Sequence, residues 1–83
     1  MELIYETAAL KDLKALPKAD AKKIMEALQQ VADLHPQRLS FITEMQGNPS
    51  YWRARKGMWR AVYRLTDAAI EVVAVNKRGE IYR

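Results

Sequence analysis

The sequence predicts an α+β fold of order β-α-α-β-β-β, an antiparallel sheet with a helical hairpin packed on one face. Three observations lead there. Apolar residues recur at helical spacing between residues 8 and 34, and apolar and polar residues alternate with period two between 51 and 76. The joints Lys56-Gly57 and Thr66-Asp67-Ala68-Ala69 are too short for crossovers, so the late strands form an antiparallel meander.

Taken in order, Leu3–Tyr5 reads as a short opening strand. Thr7 is the candidate N-cap of the first helix, whose apolar positions are Ala8, Leu10, Leu13 and Leu16. Pro17 ends it. From Ala19 to Leu34, Ala21, Ile24, Leu28 and Val31 make an apolar stripe that Met25 and Ala32 widen. Lys22, Lys23, Glu26 and Gln29 take the opposite face. His35-Pro36 closes this second helix, because a residue before proline avoids helical geometry. Residues 36–50 read as a long connection that packs on the core through Leu39, Phe41, Ile42 and Met45, with a turn at Gly47-Asn48-Pro49. The strand candidates that follow are Tyr51–Arg55, Met58–Leu65 and Ile70–Asn76. No repeat or linker interrupts the chain, so residues 1–83 read as one domain.

Composition narrows the functional classes. With 49% apolar and 29% charged residues the chain is of ordinary globular type. It has no cysteine, which excludes disulfides and thiolate metal sites and fits a reducing, cytoplasmic setting. No apolar run is long enough to span a bilayer, and no membrane partner is expected. The net charge of +4 is unevenly spread. Residues 1–50 hold six Lys or Arg against seven Asp or Glu, whereas residues 51–83 hold eight against three. A basic C-terminal third points to a polyanion, with nucleic acid first.

The stretch YWRARKGMWRAVY, residues 51–63, concentrates that charge. With Lys56-Gly57 as a two-residue loop, Arg53 faces Arg60 and Arg55 faces Met58. Alternation then puts Trp52, Ala54, Trp59, Ala61, Tyr63 and Leu65 on one sheet face for the helices to cover. Arg53, Arg55, Arg60, Val62 and Arg64 share the other. Like charges directly across a ladder cost stability. Solvated arginines lying along a sheet are a common arrangement, but convergent guanidinium groups also match phosphate oxygens in bidentate geometry. Lys56 and Arg64, with Lys77 and Arg83 further on, are the remaining candidate RNA-backbone contacts. Lys11, Lys14, Lys22 and Lys23 read first as solvated helix positions. His35 is the one histidine and reads as a helix-terminating residue. With no cysteine, one histidine and no carboxylate cluster, neither a metal-dependent nor a two-histidine nuclease is expected, and no cofactor is implied.

A strand, two helices, then W-R-x-R-x-G-x-W-R-x-V-Y, a strand, and the ending KRGEIY resemble the RelE/ParE superfamily of type II toxins, in particular its RelE branch. The resemblance runs over nearly the whole chain in element order. It implies a ribosome-dependent ribonuclease that cuts messenger RNA in the ribosomal A site, with the ribosome, mRNA and a cognate antitoxin as partners. By position, Arg53 and Arg55 match the basic pair of the first hairpin strand, and Arg60 matches the arginine after the aromatic of the second. Arg78 and Tyr82 match the arginine and tyrosine of the C-terminal segment. In the family the basic pair that Arg53 and Arg55 match is often lysine, and a guanidinium hardly deprotonates, so the resemblance leaves the general base open. Met58 stands where many relatives carry an acidic or small residue. Two other functions stay open: a ParE-like inhibitor of DNA gyrase, and an inactive member of the fold that binds RNA or antitoxin.

Overall fold

A computed structural model of the chain describes residues 1–77 of 83. Its order is β1 (Glu2–Tyr5), α1 (Thr7–Ala15), α2 (Lys18–Leu34), β2 (Ile42–Glu44), β3 (Tyr51–Lys56), β4 (Trp59–Leu65) and β5 (Ala69–Lys77). The strands form one five-stranded sheet in the order β1-β5-β4-β3-β2. Both helices cover one face, giving the α+β architecture expected from the sequence.

Each helix forms for a local reason. Glu6, with extended backbone, precedes α1, so Thr7 is its first helical residue rather than its cap. Pro17 occupies the N-cap of α2, where its missing N–H is no loss. Within α2 the buried side chains are Ile24, Ala27, Leu28, Val31 and Ala32. Their spacing of three and four residues draws one stripe down the helix. Leu28 is fully buried, and truncating it to alanine would cost about 2–5 kcal/mol. The helix ends at His35, whose peptide bond to Pro36 is cis.

The sheet differs from expectation in three ways. First, it is mixed: β1 runs parallel to β5, with Leu3 beside Ile70 and Tyr5 beside Val72. The whole of α1 to β4 separates these strands, which allows a parallel pairing that no short connection could make. Second, the connection 36–50 contains a strand, since Ile42 pairs with Ala54, Thr43 with Arg53 and Glu44 with Trp52. Only three residues long, β2 carries too little alternation to be read as a strand. Its return to β3 is fixed by hydrogen bonds from Met45 N–H to Tyr51 (2.8 Å) and from Tyr51 N–H to Asn48 (2.9 Å), with Gly47 at φ 80°.

Third, the β3–β4 register is shifted by two. The last pair is Lys56 with Trp59, so the turn residues are Gly57 and Met58. Gly57 has φ 59° and no other residue type has positive φ among the described residues, the pattern of a hairpin turn with glycine at its first central position. A lysine there would have had to adopt the strained left-handed conformation. Because the shift is an even number, every side chain keeps its face.

The helix-side face of the sheet presents Trp52, Ala54, Ala61, Tyr63, Ile70, Val72 and Val75 to the core. Ala54 and Ala61 are directly opposed and are 1% and 0% exposed, small residues under closely packed helices. Val62 pairs with Ala74 but Tyr63 pairs with Val72, so Val73 is an extra residue, a β-bulge in β5. Just past it, the Val75 N–H donates to Asp12 Oδ2 of α1 at 2.9 Å. A side chain from the covering helix thus supplies an acceptor beside the interrupted ladder.

Candidate functional site

The second face of the sheet, away from the helices, carries the site. Alternation along β3 and β4 puts Arg53, Arg55, Arg60, Val62 and Arg64 there, the same set that the sequence segregates. What changes is who faces whom. Arg55 is directly across from Arg60, and Arg53 is across from Val62. On the neighbouring strands Thr43 stands beside Arg53 and Asn76 beside Arg60. Two rows result: Arg55, Arg60 and Asn76 across three strands, then Thr43, Arg53, Val62 and Ala74 across four.

Arg55 is exposed, whereas Arg53 and Arg60 are half-buried. The Nε atoms of Arg53 and Arg60 are buried and have no hydrogen-bond partner among the described residues. No ion pair joins Arg53, Arg55 or Arg60 to a described carboxylate. A buried donor left unsatisfied costs about 1–3 kcal/mol, and guanidinium stays charged throughout the working pH range. Val62, only 5% exposed, lies between them on this face, flanked by arginine stems. Among the described residues this face therefore carries unfavourable charge and unused donors. An anion with several oxygens relieves both at once.

Arg64 stands apart from the other three. Its Nε donates to Glu71 Oε1 at 3.0 Å and a second guanidinium nitrogen makes an ion pair with the same oxygen. That hydrogen bond, and then the charge of Glu71, raise the Arg64 pKa above its ordinary value. Arg64 is thus held in place by the protein itself, next to the cationic rows but already partnered.

Lys56, a candidate RNA contact, is on the opposite face. It pairs with Trp59, and its Nζ lies 5.9 Å from the centre of the Phe41 ring. Lys77 also pairs with Trp59 and so takes the helix-side alternation, at the exposed end of β5. Arg78, Tyr82 and Arg83 lie outside the described residues. Met58 does not face Arg55; it is the second turn residue and 56% exposed, so its character is free of any pairing demand in the ladder.

Two features escaped the sequence. Thr43 and Asn76 reach the cationic face only through the β2–β3 and β4–β5 registers, and a lone threonine or asparagine carries no signal by itself. Arg38, in the connection after α2, places its guanidinium 4.8 Å from the centre of the Trp52 ring. It borders a cleft of about 160 Å³ shared with His35, Trp52, Tyr63, Leu65 and Ile70. Burial pushes the Tyr63 hydroxyl up to about 12, with the Arg38 charge pulling weakly the other way. Among the described residues no three His, Cys, Asp or Glu side chains converge as a metal site would require. None of the described helices is long and apolar enough to cross a membrane.

A helix-covered sheet whose other face presents Arg53, Arg55 and Arg60, with no ion-pair partner among the described residues, defines a small α+β protein with a cationic face. The chain belongs to the RelE/ParE superfamily of type II toxins: the family model for the ParE toxin of type II toxin-antitoxin systems matches residues 3–82. It is therefore a toxin of that class. Solved structures agree on the fold. The isolated E. coli RelE toxin superposes with a TM-score of 0.80 at 20% identity, over 96% of this chain and 86% of that one. A RelBE2 toxin-antitoxin complex from Mycobacterium tuberculosis gives 0.74 at 24% identity, over 93% and 96%. YafQ from E. coli strain BL21(DE3) gives 0.71 at 20%, over 92% and 91%. No curated protein matches the sequence.

Proposed function

We propose that this toxin is a metal-independent endoribonuclease that cleaves messenger RNA in the ribosomal A site and is neutralised by a cognate antitoxin. The observation that carries this reading is the row of Arg55 and Arg60 beside Arg53, unpaired among the described residues, with two buried Nε donors awaiting an acceptor. Bidentate guanidinium donors match phosphate oxygens and favour a transition state richer in negative charge than the substrate. In the reaction the RNA's own 2′-oxygen bonds to the adjacent phosphorus and the bond to the 5′-oxygen breaks. The 2′-hydroxyl loses its proton and the departing 5′-oxygen gains one, leaving a 2′,3′-cyclic phosphate and a 5′-hydroxyl.

In this scheme Arg60 and Arg78 hold the scissile phosphate, while Arg53 and Arg55 stabilise the developing charge. Tyr82 stacks on a base or assists proton transfer. Arg64 and Arg83 contact the flanking backbone, and Lys56 and Lys77 do so from the hairpin end and the exposed end of β5, beyond the edge of the cationic face. Without a strong acid–base pair the isolated toxin is a poor nuclease, and the ribosome supplies the orientation of the substrate. The antitoxin partner is supported by the RelB–RelE complexes among the similar structures.

The test is to induce the toxin, map transcript ends by primer extension, and compare Arg60→Ala and Tyr82→Phe. Discrete new 5′ ends that vanish in Arg60→Ala support the reading; intact messages with growth still arrested sink it. The match to the ParE model favours one second reading, inhibition of DNA gyrase. Supercoiling by purified gyrase, unaffected under the first reading and blocked under the second, separates them.

A further inference from the structure

Every guanidinium on the cationic face is a hydrogen-bond donor and none is an acceptor. Attack by a 2′-hydroxyl needs the opposite: an oxygen lone pair that receives the hydroxyl proton's hydrogen bond and turns the oxygen toward phosphorus. Among the described residues the side-chain acceptors on this face are few, and one of them, the Tyr51 hydroxyl, belongs to a residue opposite Arg64, four positions along β4 from Arg60. Glu71 holds Arg64 through Oε1 and stands opposite it, likewise four positions along β4 from Arg60. Thr43 lies on β2, two strands from Arg60. Asn76 lies on β5 directly across from Arg60, on the adjacent strand. Directly opposed residues of an antiparallel pair hold their Cβ atoms roughly 5 Å apart. Asn76 is half-buried, and its amide makes no hydrogen bond with any described residue.

Resting on the ribonuclease reading, we propose that Asn76 orients the attacking 2′-hydroxyl. Its Oδ1 accepts from that hydroxyl, while its Nδ2 donates to a non-bridging oxygen of the phosphate that Arg60 holds. An amide is not a base, so the proton itself leaves to water as the oxygen–phosphorus bond forms, and water returns one to the 5′-oxygen. The contribution of Asn76 is alignment, which lives in the chemical step rather than in ribosome binding. It also explains why a neutral residue ends a row that is otherwise guanidinium: an amide is the side chain there that offers a donor and an acceptor without adding charge.

The experiment is single-turnover cleavage of a defined message on programmed ribosomes, with wild type, Asn76→Leu, Asn76→Ser, Asn76→Asp and Arg60→Ala. Leucine keeps the shape of asparagine without its hydrogen bonds. The expected result is a loss of about 100-fold in the cleavage rate of Asn76→Leu, the scale of a misoriented nucleophile, at unchanged half-saturating ribosome concentration. Asn76→Ser recovers part of the rate. Asn76→Asp retains cleavage but acquires a new rise of rate with pH as its carboxyl ionises. Thermal melts show whether each variant is folded, and the serine and aspartate variants keep the comparison decisive if leucine unfolds the strand. Cleavage by Asn76→Leu at the wild-type rate, beside a defective Arg60→Ala, overturns the role of Asn76 and leaves the ribonuclease reading standing. A wild-type toxin that leaves the message intact overturns both.

Discussion

The facing of Arg55 and Arg60 across the β3–β4 ladder makes a quantitative claim about stability. Directly opposed like charges cost about 0.2–1 kcal/mol, and the buried, unpartnered Nε of Arg60 adds up to about 1–3 kcal/mol. Replacing Arg60 with methionine keeps an unbranched apolar stem over neighbouring Val62 and deletes both penalties. Arg60→Met should therefore be more stable than wild type by about 1 kcal/mol, which for a domain of this size raises Tm by about 4–8 °C. Arg55 is exposed, so Arg55→Met removes only the repulsion and should gain less. The double variant should gain less than the two single gains combined, because the repulsion can be removed only once. Thermal unfolding followed by circular dichroism at low and high salt measures all four corners of this cycle. The coupling should shrink toward zero at about 1 M salt, where the screening length falls to about 3 Å. An Arg60→Met variant less stable than wild type at every salt concentration would mean that the opposed guanidinium groups carry no net penalty in the free toxin, leaving an anion nothing to relieve.

Three more outcomes follow from particular contacts. Tyr63 has its folded pKa raised by burial from 10.0 to about 12, so its stabilisation is fully present below pH 10 and drains away as pH climbs through 12. A denaturant series at rising alkaline pH should show this loss, and Tyr63→Phe should flatten it. Asp12→Ala strands the Val75 N–H beside the bulge and should cost about 1–3 kcal/mol in urea unfolding; a change below about 0.5 kcal/mol would mean that water replaces the carboxylate. The Arg64–Glu71 pair is partly exposed, at 43% and 23%, so Glu71→Gln should shift the urea midpoint far less than Asp12→Ala does.

The faces of the β3–β4 hairpin were readable from the sequence because alternation between tryptophan, alanine and arginine survives any even shift of register. The turn was not, since deciding between Lys56-Gly57 and Gly57-Met58 depends on which residue takes positive φ, and only Gly57 does so without strain. Both helices were legible from apolar spacing with Pro17 and His35-Pro36 as punctuation, although Pro17 caps α2, which begins at Lys18, and Glu6 rather than Thr7 precedes α1. β2 was hidden because three residues cannot display a period, and with it went the position of Thr43 beside Arg53. The parallel partner of β1 was equally invisible: Leu3 and Ile70 are neighbours in space through a pairing that no local pattern encodes. The role offered to Asn76 needed the β4–β5 register as well, including the bulge at Val73 that sets it. Arg78 and Tyr82 stay where the sequence resemblance put them, outside the described residues.

The pairing of β1 with β5 has a consequence for how the toxin comes into being. β3 and β4 are joined by a two-residue turn and can meet as soon as both are synthesised, but Leu3 must wait for Ile70, and α1 packs chiefly on β5 as well. Closing so long a loop carries an entropic cost that local pairings escape. On a growing chain the arginine hairpin thus precedes the strand that seats it between sheet and helices. The first two elements stay without their main support until β5 has emerged, so the fold closes only once that strand is made and not on the fragments before it.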